Sequence, residues 1–168
     1  LIGLYNANNI NAAIAIGNYF KVPKEAIKSA LEGYIPENNR SQLITKGTNQ
    51  IILDAYNANP SSMAVAIENF KQLDNSNKIA ILGDMFELGE ESVEEHKNIV
   101  NSLSNQKEID CHFVGTDFFA HRIKDENCHF HATYEDLAAY INEQKINQST
   151  ILIKGSRGMA LERTLDLF

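Results

Sequence analysis

Residues 51–63, IILDAYNANPSSM, set a carboxylate, a phenol and two carboxamides directly behind an apolar run. Ile51, Ile52 and Leu53 have the character of a buried strand, because consecutive large apolar residues suit a sheet covered on both faces. Asp54, Tyr56, Asn57 and Asn59 then offer an acceptor, a phenol and two amides, and Pro60, Ser61 and Ser62 read as a helix start. In open α/β sheets, ligands bind outside the carboxyl ends of strands, where helix N-termini also point. Asn, Asp and Ser favour turns and caps on their own account, so this stretch alone reads equally as a ligand edge or a decorated turn.

Other apolar runs end in the same way. Residues 81–83 lead into Asp84, Glu87 and Gly89; Val114 leads into Gly115 and Asp117; Ile153 leads into the string KGSRG, 154–158. In that last string glycines flank Ser156 and Arg157, so backbone amides and a guanidinium could meet an anionic group. The competing reading is an ordinary turn with a solvated Arg157. No GxxxxGK[ST] phosphate loop exists anywhere in the chain. His96 follows Glu94 and Glu95 without a second histidine at helical spacing, which excludes a zinc HExxH motif and favours a structural or substrate-edge role. His112, His121, His129 and His131 show no convergent spacing, although His129 and His131 could line one strand face. The GSRG string lacks the GxSxG spacing of a nucleophile elbow, and no catalytic or metal-ligating set emerges.

Composition narrows the class. The chain has 168 residues and a formal net charge of -7 without a basic cluster, which argues against nucleic acid or a membrane surface as partner. Hydrophobic content of 43% and charged content of 22% fit an ordinary globular chain with one good core. Cys111 and Cys128 have no partner at metal-ligand spacing and read as buried free thiols, able to pair only if their strands were neighbours. With no long apolar span and no leader-like start, a cytoplasmic location is expected. The start at Leu1 rather than Met suggests a segment of a longer protein.

These side chains must be positioned by regular elements. Helical spacing over 7–20 and again from Pro23 through PKEAIKSALEGY predicts a helix pair, and the polar string IPENNR, 35–40, marks a boundary. Beyond it, strands at 42–45 and 50–53 flank KGTN as a hairpin. Then follow a helix at 62–73, a strand at 78–83, a helix at 92–103, a strand at 111–115 and a short helix at 118–123. A strand at 128–131, a helix at 134–144, a strand at 150–155 and a terminal helix from Met159 complete the series. Alternation at this spacing predicts an α/β fold whose mostly parallel sheet carries helices on both faces and one antiparallel edge strand.

Five strings in order, GLYNANNINAAIAIG (3–17), NNRSQ (38–42), DAYNANPSSM (54–63), ILGDMFELGEES (81–92) with His96, and IKGSRGMALE (153–162), closely resemble the Mur ligases. The resemblance spans nearly the whole chain and is strongest to the member that joins D-alanyl-D-alanine to UDP-N-acetylmuramoyl-tripeptide. It implies that residues 1–36 are the last elements of a central ATPase domain. Residues 37–168 would then be the Rossmann-like C-terminal domain that closes over ATP. The family box GxHNxxNxxAA is met by Gly3, Asn6, Asn9 and Ala12-Ala13, with Tyr5 where the family has His. The resemblance thus implies that Asn6 and Asn9 contact adenine, Arg40 reaches the nucleotide, Asp54 holds the ribose and Tyr56 lies beside it. Asn57 and Asn59 would shape the cleft, and Ser156 and Arg157 would face the dipeptide. The implied reaction is amide formation through an acyl phosphate, with Mg2+. In the family the phosphate loop, an acidic metal ligand and a modified lysine of that chemistry belong to the central domain, and none is present in this chain, which is therefore expected to be inactive alone. The reading from another class is a free-standing Rossmann-like module that binds a nucleotide or peptide without turnover.

Overall fold

The computed structural model describes residues 6–168, so Gly3 and Tyr5 of the amide box lie outside the described residues. Six strands form one sheet: β1 (Gln42–Lys46), β2 (Asn49–Asp54), β3 (Lys78–Gly83), β4 (Ile109–Val114), β5 (Cys128–His131) and β6 (Thr150–Lys154). Their spatial order is β1-β2-β6-β3-β4-β5, and β1 with β2 is the antiparallel pair. The remaining neighbours run parallel, so β2, β6, β3, β4 and β5 all deliver their C-terminal ends to one edge. The expected mostly parallel sheet with one antiparallel edge strand is what the chain forms.

Sequence periodicity sets which side chain meets which layer. Ile52, Ala80, Leu82, Phe113 and Leu152 face one side, where they bury against α3 (Pro60–Lys71), α4 (Ser92–Ser104) and α5 (Thr116–Ala120) through Met63, Phe70, Val100, Leu103 and Phe118. Their strand neighbours Ile51, Leu53, Ile79, Ile81, Ile151 and Ile153 face the other side, against Leu137 and Ile141 of α6 (Tyr134–Gln144) and Leu161. This two-sided burial explains why β3 and β6 read as unbroken apolar runs. Each such fully buried side chain contributes about 1.5–3 kcal/mol.

The helix pair is α1 (Asn6–Tyr19) and α2 (Lys24–Glu32). Gly17 is the contact point: a Cβ there would meet Ile27 Cδ1 at 2.7 Å, so the missing side chain admits Ile27. Away from that contact Ile16, Tyr19 and Phe20 are exposed.

Several boundaries shift by one or two residues, β4 beginning at Ile109 rather than 111 among them, and three differences have a clear local cause. Helix α3 starts at Pro60 rather than 62, because Asn59 caps it and accepts from Ser62 N at 2.8 Å, in a reciprocal capping box with Ser62. Helix α5 occupies Thr116–Ala120 rather than 118–123, since Asp84 caps its first amides. The terminal α-helix expected from Met159 is instead two 3-10 segments, Arg157–Met159 and Leu161–Leu167. Ala160 lies between them at φ +48°, a left-handed residue through which an α-helical ladder cannot propagate.

Candidate functional site

A cleft of about 890 Å³ lies between the helix pair and the C-terminal edge of the sheet. Seven of the residues singled out from sequence line it: Asn6 and Asn9 from α1, Arg40 before β1, Asp54 at the end of β2, and Tyr56, Asn57 and Asn59 in the turn beyond. Asn6 is buried at the start of α1, and Asn9 Nδ2 donates to its Oδ1 at 3.4 Å, so the two amides form one polar face. Opposite, the Arg40 guanidinium carbon sits 3.9 Å from the Tyr56 ring centroid, a cation–π stack that joins the segment before β1 to the turn after β2.

Asp54 is the junction of the site. Its Oδ1 accepts from Ser41 N at 3.0 Å and from Ser41 Oγ at 3.5 Å, while Oδ2 meets Lys154 Nζ at 2.6 Å. Lys154 ends β6 in register with Asp54, and its side chain is 2% exposed. Its ammonium also donates to the Asn57 carbonyl at 3.3 Å. A carboxylate offers about four lone-pair sites, so Asp54 keeps capacity for a ligand hydroxyl after these bonds. Asn59, by contrast, commits its side-chain oxygen to Ser61 Oγ at 3.0 Å and Ser62 N at 2.8 Å. Asn59 is thus a helix cap, and the turn it ends also forms a wall of the cleft.

Ser156 and Arg157 do not line this cleft. Ser156 is buried, and its Oγ accepts from Phe86 N at 2.8 Å. Arg157 is exposed and pairs with Glu162 at 3.1 Å. Beside them the turn after β3 is held at three successive amides: Asp84 N donates to Val114 O at 3.0 Å, Met85 N to His96 Nε2 at 3.0 Å, and Phe86 N to Ser156. The bond from Met85 fixes the tautomer of the buried His96, whose Nδ1 then donates to Ser92 O at 2.7 Å. His96 thus shapes the turn that presents the exposed Phe86 against Gly158. Of the structural or substrate-edge role foreseen for it, these bonds give the structural one a concrete form. Asp84 is buried and accepts from Asp117 N and Phe118 N at 3.0 and 2.9 Å; burial, against those bonds, raises its pKa.

The histidines without convergent spacing do converge in part. Parallel register sets His112 beside His129, and His112 Nδ1 lies 3.1 Å from His131 Nε2, with Tyr140 against all three rings. Spacing along one chain could not reveal a cluster built across two strands. Burial, then the neighbouring His112 and His129, push the pKa of His131 down to about 4 from the ordinary 6.5. Burial alone would raise Asp110, but its hydrogen bonds to His112 and His129 outweigh this and hold it low. The folded His131 therefore binds a proton less readily than the unfolded one, so its contribution is complete above pH 6.5 and is lost as pH falls toward 4. Asp110 acts in the same direction at lower pH, and the raised Asp84 opposes both. Urea unfolding is expected to show stability falling by up to roughly 3 kcal/mol across that window, and His131→Gln flattening the profile. An unchanged profile in the variant would contradict this.

Cys111 and Cys128 are register partners on neighbouring strands and both are buried free thiols, the one geometry in which pairing had been foreseen. Their hydrogen bond, with burial, pushes the Cys111 thiol well above its ordinary value. Among the described residues no group of three or more His, Cys, Asp or Glu could hold a metal ion, and no helix is long and apolar enough to cross a membrane.

Sequence reasoning passed over Lys154 and Ser41. The signal for Lys154 was present: a lysine closing the apolar strand TILIK must find a counter-charge if that strand is buried on both faces.

Residues 39–157 match the family described as Mur ligase, glutamate ligase domain. The UDP-N-acetylmuramoyl-tripeptide–D-alanyl-D-alanine ligase of Bacillus subtilis is 36% identical over 172 residues, covering 96% of this chain and 37% of its own length. A crystal structure of MurF from Acinetobacter baumannii superposes with a TM-score of 0.84 at 30% identity, covering 98% of this chain and 38% of that one. The MurF ligase of Thermotoga maritima in complex with ADP gives 0.67 at 25% identity, covering 81% of this chain and 31% of that one. The chain thus matches 31–38% of the length of these relatives.

Proposed function

This chain belongs to the Mur ligase family, and from that premise we propose that it is the nucleotide-closing part of an ATP-dependent ligase. That enzyme joins D-alanyl-D-alanine to UDP-N-acetylmuramoyl-tripeptide during peptidoglycan precursor synthesis in the bacterial cytoplasm. Residues 1–36 are then the last elements of the central ATP-binding domain, and 37–168 the domain that folds over the nucleotide. The observation that carries this reading is the shared cleft, in which Asn6 and Asn9 of the helix pair face Arg40, Asp54 and Tyr56 of the sheet edge.

In this reading Asn6 and Asn9 meet adenine, Asp54 accepts from the ribose, and Arg40, held against Tyr56, supplies positive charge toward the nucleotide. Phosphoryl transfer needs little covalent help from protein groups beyond positioning and charge stabilisation, so a closing domain contributes by fixing the nucleotide. The tripeptide carboxylate attacks the γ-phosphorus and ADP departs. The dipeptide amine then attacks the acyl carbon, loses its proton and expels phosphate. Ser156 and Arg157 lie one strand end further along the same edge, beside the turn carrying Phe86, which suits them to the incoming dipeptide. Among the described residues no group of three or more His, Cys, Asp or Glu gathers to hold a metal, and the ligands of the magnesium that would neutralise the transferring phosphoryl group are assigned to the rest of the central domain.

The full-length ligase is expected to turn over ATP continuously only when both peptide substrates are present, whereas residues 1–168 alone give no turnover and bind ATP weakly in a calorimetric titration. Tight ATP binding without turnover by the isolated chain, or a gene lacking a phosphate loop upstream, would overturn the reading in favour of a self-sufficient binding module, and turnover by the isolated chain would overturn both.

A further inference from the structure

We propose that Lys154 is a positioning residue of the nucleotide cleft: through Asp54 it holds Ser41 and so aims Arg40. This rests on the reading of the cleft as the nucleotide site. Lys154 lines that cleft at the end of β6, and its side chain is 2% exposed. A buried ammonium is strongly unfavourable without a counter-charge, and among the described residues the carboxylate within ion-pair distance is Asp54, at 2.6 Å. The second bond, to the Asn57 carbonyl, fixes the turn that carries Tyr56. One lysine therefore sets both the orientation of Asp54 and the path of the chain beyond it.

The other oxygen of Asp54 determines what happens around Arg40. Asn38, Asn39 and Ser41 have φ of +60°, +58° and +47°, so Arg40 is flanked on both sides by left-handed residues. Asn adopts that region readily, but Ser does so only with support. For Ser41 the support is the Asp54 Oδ1 atom, which takes both its backbone N–H and its hydroxyl. The Arg40 side chain then stacks on Tyr56, two residues past Asp54. Backbone and side chain of Arg40 thus both answer to a carboxylate whose orientation Lys154 fixes. A simple stabilising ion pair would not connect to the segment joining the helix pair to the sheet.

The test uses the full-length ligase with Lys154→Met, Asp54→Asn, the double variant and Arg40→Ala. Lys154→Met is expected to raise the KM for ATP about tenfold, with kcat and the KM of both peptide substrates within about twofold. Asp54→Asn leaves the ammonium unpaired and lowers the melting temperature. The double variant has no buried charge and recovers the melting temperature, yet its ATP KM stays raised, by no more than that of the single variants combined. The discriminating readout is Lys154→Met, which keeps the Asp54 carboxylate: a raised ATP KM with kcat and the peptide KM values unmoved is a split that a merely structural pair would not give. If Arg40→Ala raises the ATP KM while Lys154→Met leaves it unchanged, the positioning role falls and the nucleotide reading stands. If Arg40→Ala also leaves it unchanged, both fall.

Discussion

Asp54→Ala in the full-length ligase is expected to raise the ATP concentration for half-saturation about 10- to 100-fold. A hydrogen bond to a charged group contributes about 1.5–3 kcal/mol, and each 1.4 kcal/mol is tenfold in affinity. The loss has two sources. The ribose acceptor disappears, and Ser41 loses the atom that binds both its N–H and its hydroxyl, which loosens the segment bearing Arg40. The substitution also strands the Lys154 ammonium. Breaking a buried pair costs about 3–5 kcal/mol, and with the Asp54 side chain 20% exposed the lower end applies. ADP release at varied ATP and saturating peptides measures the first effect, and urea unfolding measures the second. An ATP saturation curve that does not move would remove Asp54 from the nucleotide site.

Gly115→Ala is expected to be the most damaging glycine-to-alanine substitution among the described residues, lowering stability by about 4 kcal/mol or more. Gly115 has φ +120°, a conformation that side chains rarely adopt, and a Cβ there would lie 2.2 Å from Asp84 Oδ2 and 2.3 Å from Asp84 Cγ. The obvious relief, moving Asp84, is blocked by what Asp84 holds. Its carboxylate caps α5 through two amides, and its backbone joins Val114 and Ser156. Displacing it would leave buried polar groups unpaired while opening the turn that His96 and Ser156 fix. Urea unfolding of this variant beside Gly89→Ala gives an internal control. Gly89 also has a positive φ, +56°, but nothing lies within 4 Å of its Cβ position, so its cost is backbone strain alone. Equal losses at the two positions would show that crowding against Asp84 contributes nothing.

Most of the sheet was legible because two-sided burial writes apolar runs into the chain, as in KIAILG and TILIK, whose residues are buried throughout. The strand order was less accessible, since β6 inserts between β2 and β3 and only long-range packing decides that. The terminal segment misled because LERTLDLF carries helical spacing, while the left-handed Ala160 that breaks it has no signature in residue type. Within the site, the residues facing the cleft could be named from strand-end chemistry and resemblance. Their supports could not. Lys154 pairs with Asp54 from a hundred residues away, and Ser41 reaches it from thirteen. Such partners follow from register, so one strand at a time conceals them. Asn59 shows the complementary ambiguity, since an amide at a strand end serves equally as ligand donor or helix cap, and here it caps.

The central claim is that the cleft between the helix pair and the sheet edge holds the nucleotide. A crystal structure of the full-length ligase with a non-hydrolysable ATP analogue tests it most directly. The account predicts ribose hydroxyls within hydrogen-bond distance of Asp54, adenine beside Asn6 and Asn9, and the Arg40 guanidinium directed at the nucleotide while Lys154 keeps its contact with Asp54. A nucleotide bound elsewhere, with Asp54 and Arg40 out of reach of it, would contradict the account.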